Sequence, residues 1–368
     1  MAKRILFSGY APVHFLCFLP VYRRLCQFDD IELSLSGGFR VIRGDEISYR
    51  LDGFYEPFDV DKGHIRPVDQ VRQEDFDVVV CAHLSDALFP RSTKKTVQIF
   101  HGVSFKNLLA RDKALAFDFL CLPGRYHLEL FQKQGLVRAG RTYLKTGFSK
   151  SDSMVDQNFD RQAVLASVGA TRPGPTILFA PTGDHNNTME TRGTEMIEAA
   201  KKNGGWNLLI KPHDHPKKAV DWFAKLKRHE TDRIRVLRDR NVVPYLRAAD
   251  LLVTDASSVA VEYTLLDRPI VFLDAPRLMK RIAKRAPALD LDTYGRKIGS
   301  VVPVGADIAA AIFDSLQNPG REGALRRQMA EHVFHEPGKA AERITGVVRY
   351  AAGLADRLPS DVHVVKPS

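Results

Sequence analysis

The chain has 368 residues, 44% hydrophobic and 27% charged, an ordinary globular composition that excludes a disordered, collagenous or coiled-coil protein. At about 100–200 residues per domain, this length predicts two domains, each able to bury a core without disulfide or metal staples. The net charge of +10 points to anionic company (phosphorylated substrate, acidic lipid or nucleic acid) or simply to a generally basic proteome, and nucleic acid ranks low because no zinc-finger, RRM or KH signature accompanies the charge.

Lys3–Ser8 reads as a short apolar strand ending at Gly9, and Val13–Leu25 has the apolar spacing of a helix. Ile31–Ser36 is a second strand, closed by Gly37 and Gly38. Phe76–Cys81 (FDVVVC) is continuous, apolar and β-branched, as a strand buried on both faces should be. Lys95–Phe100 follows and runs into His101-Gly102. Phe117–Leu122 and Thr142–Thr146 are shorter strands. The opening MAKRILFSGYAPVH is broken by Ser8, Gly9 and Pro12 and does not read as a signal peptide. No apolar run reaches the roughly 18 residues of a spanning helix. Cys17, Cys26, Cys81 and Cys121 form no CxxC pair, which suits a reducing compartment. The expectation is a cytoplasmic protein, soluble or peripheral on the membrane.

A second run begins beyond the polar stretch 149–157 and the turn-forming 171–175. Thr176–Ala180 is a strand, Glu190–Lys202 a helix and Trp206–Ile210 a strand ending in Lys211-Pro212-His213. Arg235–Leu237 is a short strand, Val243–Ala249 a helix and Leu251–Thr254 a strand. Val259–Leu266 is a helix, and Pro269–Leu273 reads as the last strand. Strands alternating with helices predict two successive α/β domains with parallel sheets.

Ligands of open parallel sheets bind beyond the carboxyl ends of the strands. The polar residues there are His14, His83, His101, Thr182, His213, Asp255 and the Ser257-Ser258 pair. After Leu251–Thr254, the two serines open a helix, where an N-cap and free N–H groups would make an anion site for a diphosphate. Glu262, one turn on, could accept from a ribose diol; the plainer alternative is a routine cap with a solvated Glu. His101 is placed to exchange a proton near pH 7, or else is a strand-end histidine bonded to backbone. Lys211 and His213, with His215 close behind, are donors suited to phosphate oxygens, or form a basic surface loop. Thr182 can donate to phosphate, and Asp184 stands in the polar loop that follows. The chain carries no GxxxxGK[ST], GxGxxG or GxSxG motif, which argues against ATP-driven, dinucleotide-redox and serine-hydrolase chemistry.

In this order the segments resemble the CDP-glycerol glycerophosphotransferase family of teichoic-acid primases and polymerases. The likeness rests on Gln98/His101/Gly102/Lys106, Thr146-Gly147 through Lys150 and Asp152, Ala180-Pro181-Thr182, and Lys211-Pro212-His213. The long block ADLLVTDASSVAVEYTLLDRPIVF (249–272) and Gly338-Lys339-Ala340 with Arg343 complete it, spanning about residues 95–345. The chain departs from the family's His-Pro pair: His213 precedes Asp214, and His215 precedes Pro216.

The resemblance implies a GT-B-like α/β fold, two Rossmann-like parallel-sheet domains facing a central cleft. An acceptor-side domain would occupy residues 1–155 and a nucleotide-donor domain 156–337. Residues 338–368 would form a helix crossing back to the first domain, and a tail. The implied reaction moves a polyol phosphate from CDP-glycerol or CDP-ribitol to a hydroxyl of a lipid-linked or surface-polymer acceptor, releasing CMP. His101 and His213 are the catalytic candidates, His101 as general base. Lys211, Thr182, Ser257, Ser258 and Lys106 would bind donor phosphate. Asp255 and Glu262 would fix the nucleotide or position site residues. His14, His215 and Asp184 are acceptor-side candidates. No metal and no further cofactor is required in this scheme. Val13–Leu25 and the basic stretch 277–285 could touch an acidic inner-membrane surface. The rival readings are a GT-B glycosyltransferase or UDP-sugar 2-epimerase, and a non-enzymatic polyanion- or membrane-binding protein.

Overall fold

A computed structural model describes residues 2–44, 46–85, 88–203, 205–213, 220–286, 288–291 and 294–365. The chain divides into two compact units, one of residues 1–102, 109–153 and 332–368, the other of residues 103–108 and 154–331.

The first unit contains β1 (Lys3–Gly9), β2 (Ile31–Gly37), the hairpin β3 (Phe39–Arg43) and β4 (Glu46–Arg50), and β5 (Ile65–Arg66). It continues with β6 (Asp75–Cys81), β7 (Ser92–Gln98), β8 (Phe119–Leu122) and β9 (Thr142–Lys145). All but the hairpin join one sheet, ordered β9-β8-β7-β6-β1-β2-β5, with parallel pairing throughout this run. Parallel pairing brings every carboxyl end to one edge, so the loops after β1, β2, β6 and β7 are neighbours. Helix α1 (Pro12–Leu25) buries Phe15, Cys17, Phe18, Val21 and Leu25. It is a core helix, and those side chains are not available to lipid.

The β1–β2 pair leaves no room at its ends. Gly37 has φ +134, and a Cβ added there would lie 1.5 Å from the carbonyl oxygen of Gly9. Only glycine fits both the backbone conformation and the contact.

The second unit contains β10 (Thr176–Phe179), β11 (Asn207–Ile210), β12 (Ile234–Val236), β13 (Leu251–Thr254), β14 (Ile270–Leu273) and β15 (Ser300–Val302). They form one parallel sheet, ordered β12-β11-β10-β13-β14-β15. Helices α2 (Thr188–Asn203), α3 (Val259–Tyr263), α4 (Pro276–Arg285) and α5 (Ile308–Gln317) follow β10, β13, β14 and β15. One side of the sheet packs Ile177, Phe179, Leu208 and Ile210 with Met196, Trp206 and Ile312. Residues 103–108 pack in this unit too, which a division into contiguous segments at residue 155 does not anticipate. Phe105 is buried among Ala256, Ala275, Leu278 and Ile282, and the Asn107 amide donates to the Ala288 carbonyl at 2.7 Å.

Pro269–Leu273 is not the last strand. β15 follows, and after α6 (Ala340–Ala351) the chain adds β16 (His363–Val365), antiparallel to β9 in the first unit. Both late strands are three-residue sheet edges, and Val301 and Val364 are each 43% exposed. They therefore lack the continuous apolar run that marks a buried strand.

The return to the first unit is held by two motif residues. Asp152 accepts from the backbone N–H groups of Gly338, Ala340 and Ala341 at 3.0, 3.1 and 2.7 Å, which satisfies the start of α6. Arg343 is buried and donates to Asp361 at 2.7 Å and to the Thr146 carbonyl at 3.3 Å. The Thr146–Asp152 and Gly338–Arg343 segments thus form one structural joint. Among the described residues no helix is long and apolar enough to cross a membrane.

Gly37→Ala should destabilise the protein by about 3 kcal/mol or more, through steric overlap and an unfavourable φ. Denaturant unfolding checks this; a change within about 0.5 kcal/mol would show that β1 and β2 can separate at their ends.

Candidate active site

In the second unit, β11, β10 and β13 are adjacent, so the residues following them share one edge. Those residues are Lys211 and His213, Thr182 and Asp184, and Asp255 with Ser257 and Ser258. Asp255 ties two of the loops together. One of its carboxylate oxygens accepts from the Thr182 N–H at 2.8 Å; the other accepts from the Thr188 N–H and hydroxyl at 2.9 and 3.1 Å. Burial pushes its carboxyl above the ordinary carboxylate range, while those bonds and the Lys106 charge act in the opposite sense.

Lys106 lies beside this edge. Its ammonium donates to the Thr182 hydroxyl at 3.2 Å and to Asp184 at 3.3 Å. Arg285, the last residue of α4, reaches the other oxygen of Asp184 at 3.2 Å. Lys106, Thr182, Asp184 and Asp255 therefore form one contiguous cluster. Lys211 is buried, with its ammonium 3.0 Å from the Pro212 carbonyl, and His213 is exposed. His215 lies outside the described residues.

Ser258 sits at the start of α3 with helical φ/ψ and makes no side-chain cap, so the expected N-cap is absent. The helix is five residues long and continues as a 3-10 turn over Thr264–Leu266. Among the described residues neither the Ser257 nor the Ser258 hydroxyl has a hydrogen-bond partner within the chain, which leaves both able to donate to a ligand. Glu262 is fully buried in the first turn of α3.

In the first unit the sequence β7-β6-β1 brings His101, His83 and His14 together. The His14 ring centroid is 4.6 Å from that of His101 and 5.2 Å from that of His83, and the Tyr10 ring packs on His14 and His83 at 4.8 Å each. The Ser85 N–H donates to His83 Nδ1 at 3.1 Å, so the opposite nitrogen carries the proton and donates to the Ser8 carbonyl at 3.0 Å. Burial, reinforced by His101, pushes the His83 imidazole down to about 4. The His101 Nδ1–H donates to the Ala82 carbonyl, which leaves Nε2 as a lone-pair acceptor. Burial and the nearby Lys150 charge hold this imidazole below its ordinary value, against the opposing pull of the Ala82 carbonyl.

Arg285, Thr188 and Tyr10 are site neighbours that sequence reasoning missed as such. Arg285 read as part of a basic stretch. Its signal is positional: it is the last helical residue after β14 and, at i+7 from Leu278 and i+3 from Ile282, it shares the face of those buried residues.

Residues 77–350 match the family described as CDP-Glycerol:Poly(glycerophosphate) glycerophosphotransferase. The chain belongs to that family. Over 161 residues, 43% of the chain, it is 26% identical to the teichoic acid glycerol-phosphate primase of Bacillus subtilis (strain 168), and the match covers 39% of that protein. The Bacillus spizizenii primase is 24% identical over the same length, with 40% of it covered. The chain thus spans about two-fifths of the length of these curated relatives. Among solved structures, the wall teichoic acid polymerase TagF superposes with a TM-score of 0.65 at 14% identity, covering 95% of this chain and 89% of that one. S. aureus MnaA, solved with UDP, gives a TM-score of 0.58 at 15% identity, covering 98% and 99%. These likenesses establish the GT-B-like fold of this glycerophosphotransferase-family chain.

Asp255→Asn should cost about 2 kcal/mol of stability, because an amide NH2 would confront N–H donors in a buried setting. Chemical denaturation measures it; wild-type stability in the variant would show that the two loops are held by something else.

Proposed function

We propose that the protein transfers glycerol phosphate from CDP-glycerol to an acceptor hydroxyl and releases CMP. The observation that carries this reading is His101, within the span matched to the family, with Nδ1 engaged by a carbonyl and Nε2 left as a base. In the proposed step the acceptor oxygen bonds to the glycerol-bearing phosphorus. The bond from that phosphorus to the CMP oxygen breaks, and the acceptor proton passes to His101 Nε2. Lys211, His213, Thr182, Ser257 and Ser258 hold diphosphate oxygens and neutralise charge as CMP departs. Lys106 supplies a further cation, although Asp184 already engages it. Asp255 and Glu262, both buried, act as positioning residues. His14 adjoins the base on the acceptor side.

Acceptor and membrane contact belong to the same reading. A lipid-linked or polymer acceptor at the cytoplasmic face would suit a peripheral protein. The exposed Arg277, Lys280 and Lys284 of α4 offer electrostatic attraction to an acidic leaflet, while Leu278 and Ile282 are already buried.

The test is CMP release from CDP-glycerol, with CDP-ribitol and a UDP-sugar as competing donors. His101→Ala should lower turnover by about 10²–10⁴-fold while donor affinity changes little. Turnover of a UDP-sugar in preference to CDP-glycerol would favour the glycosyltransferase or epimerase reading.

The pH profile follows from the lowered His101 value. The base is competent when neutral, so activity is lost as pH falls through its pKa. The acid limb of kcat/KM should therefore lie below pH 6.5, the ordinary imidazole value. A limb above that value would contradict the assignment.

A further inference from the structure

The carboxyl edge of the first sheet continues past the histidines. Across it, the paired positions run Gln98, Cys81, Ser8, Ser36 and Arg66, on β7, β6, β1, β2 and β5. His101 and His83 occupy the loops at one end of this line, and His14 stands in the first turn of α1, after β1. At the other end stand Arg66, closing β5, and Arg40, on the hairpin after β2.

These two arginines differ from others in the unit. Arg4, Arg91 and Arg349 are ion-paired with Glu74, Asp75 and Asp30. Among the described residues neither Arg40 nor Arg66 pairs with a carboxylate, and the Nε of each is buried without a hydrogen-bond partner. The Arg40 guanidinium lies over the Tyr10 ring, 5.8 Å from its centroid. An aromatic face can hold a guanidinium in place without neutralising it. Both groups are thus half-desolvated cations with donors unspent, the condition in which a guanidinium binds phosphate in a forked pair of hydrogen bonds.

A continuous series of contacts links this cation to the base. Arg40 meets Tyr10 at 5.8 Å, Tyr10 meets His14 at 4.8 Å, and His14 meets His101 at 4.6 Å. That separation suits a ligand whose hydroxyl reaches His101 and whose phosphate stands a few bonds away.

We propose that Arg40, seconded by Arg66, determines acceptor specificity by binding a phosphate carried a few bonds from the hydroxyl that His101 deprotonates. The step at His101 rests on the transfer reading above; the anion site stands on the geometry of the first unit alone.

The experiment compares glycerol 3-phosphate with glycerol as acceptors for CDP-glycerol, and measures binding of glycerol 3-phosphate by calorimetry with CMP at saturation. Wild type should favour the phosphorylated acceptor. In Arg40→Gln that preference, as a ratio of kcat/KM values, should fall about 10- to 100-fold, chiefly through KM, with a matching loss of binding. Arg40→Lys should keep part of it, and Arg66→Gln should lose less. Added salt should weaken the preference in wild type more than in Arg40→Gln. An unchanged ratio and unchanged binding in Arg40→Gln, or a wild type that prefers glycerol, overturns the proposal. Arg40-dependent binding without CMP release would overturn the transfer reading and leave the anion site standing. CMP release with an Arg40-independent ratio would do the reverse.

Discussion

The carboxylate of Asp255 is the constraint on which the second unit's site depends. A buried carboxylate is costly to keep charged, and here burial does raise its pKa. What offsets that cost is convergence. Two backbone N–H groups and a hydroxyl from the loop after β10 point at the oxygens of a residue that follows β13. The same bonds fix Thr182, whose hydroxyl faces Lys106, and Lys106 in turn engages Asp184. One carboxyl group therefore sets the shape of an edge on which Lys106, Lys211 and Arg285 stand with Asp184, Asp255 and Glu262.

The first unit uses the opposite electrostatic device. Burial favours the neutral form of His83 and of His101, with His101 adding to the effect on His83 and the Lys150 ammonium adding to the effect on His101. Carbonyl acceptors then fix which nitrogen carries the proton. His83 is tied at both nitrogens and serves as scaffold, whereas His101 is tied only at Nδ1. The two residues share a type and a place at a strand end, yet backbone partners separate their capabilities. The +10 net charge of the whole chain could not have foretold this pairing of a neutral pocket with unpaired arginines.

How much of this was legible in the sequence follows from how each element earns its stability. Buried parallel strands must be apolar on both faces, so FDVVVC, TILF and LLVT declared themselves. The β3–β4 hairpin and the edges β15 and β16 are short, partly exposed or charged, and left no comparable trace. The family-like strings were legible as strings but not as contacts. Asp152 and Arg343 are nearly two hundred positions apart, and nothing local says that one caps the helix which carries the other. Ser258 shows the reverse failure, because a serine before a helix suggests a cap and the backbone there is already helical. Arg285 was hidden because a basic helix end has many uses, and only the position of Asp184 selects among them.

The family match begins at residue 77, and that boundary falls within the first unit. His83 and His101 fall inside it, on β6 and β7 and their loops. Tyr10, His14, Arg40 and Arg66 fall outside it, on the strands β1, β2 and β5 and their connections. In the proposed transfer the proton acceptor serves whatever alcohol attacks, and the proposed base, His101, lies in the segment matched to the family. Recognition of the alcohol must differ wherever acceptors differ, and loops at a sheet's carboxyl edge can change without disturbing the strands beneath them. The Gly9–Gly37 contact holds those strands in register, so the edge can present new side chains while the histidines keep their places. In the proposed reading, acceptor choice rests with the segment before residue 77, where Arg40 and Arg66 lie.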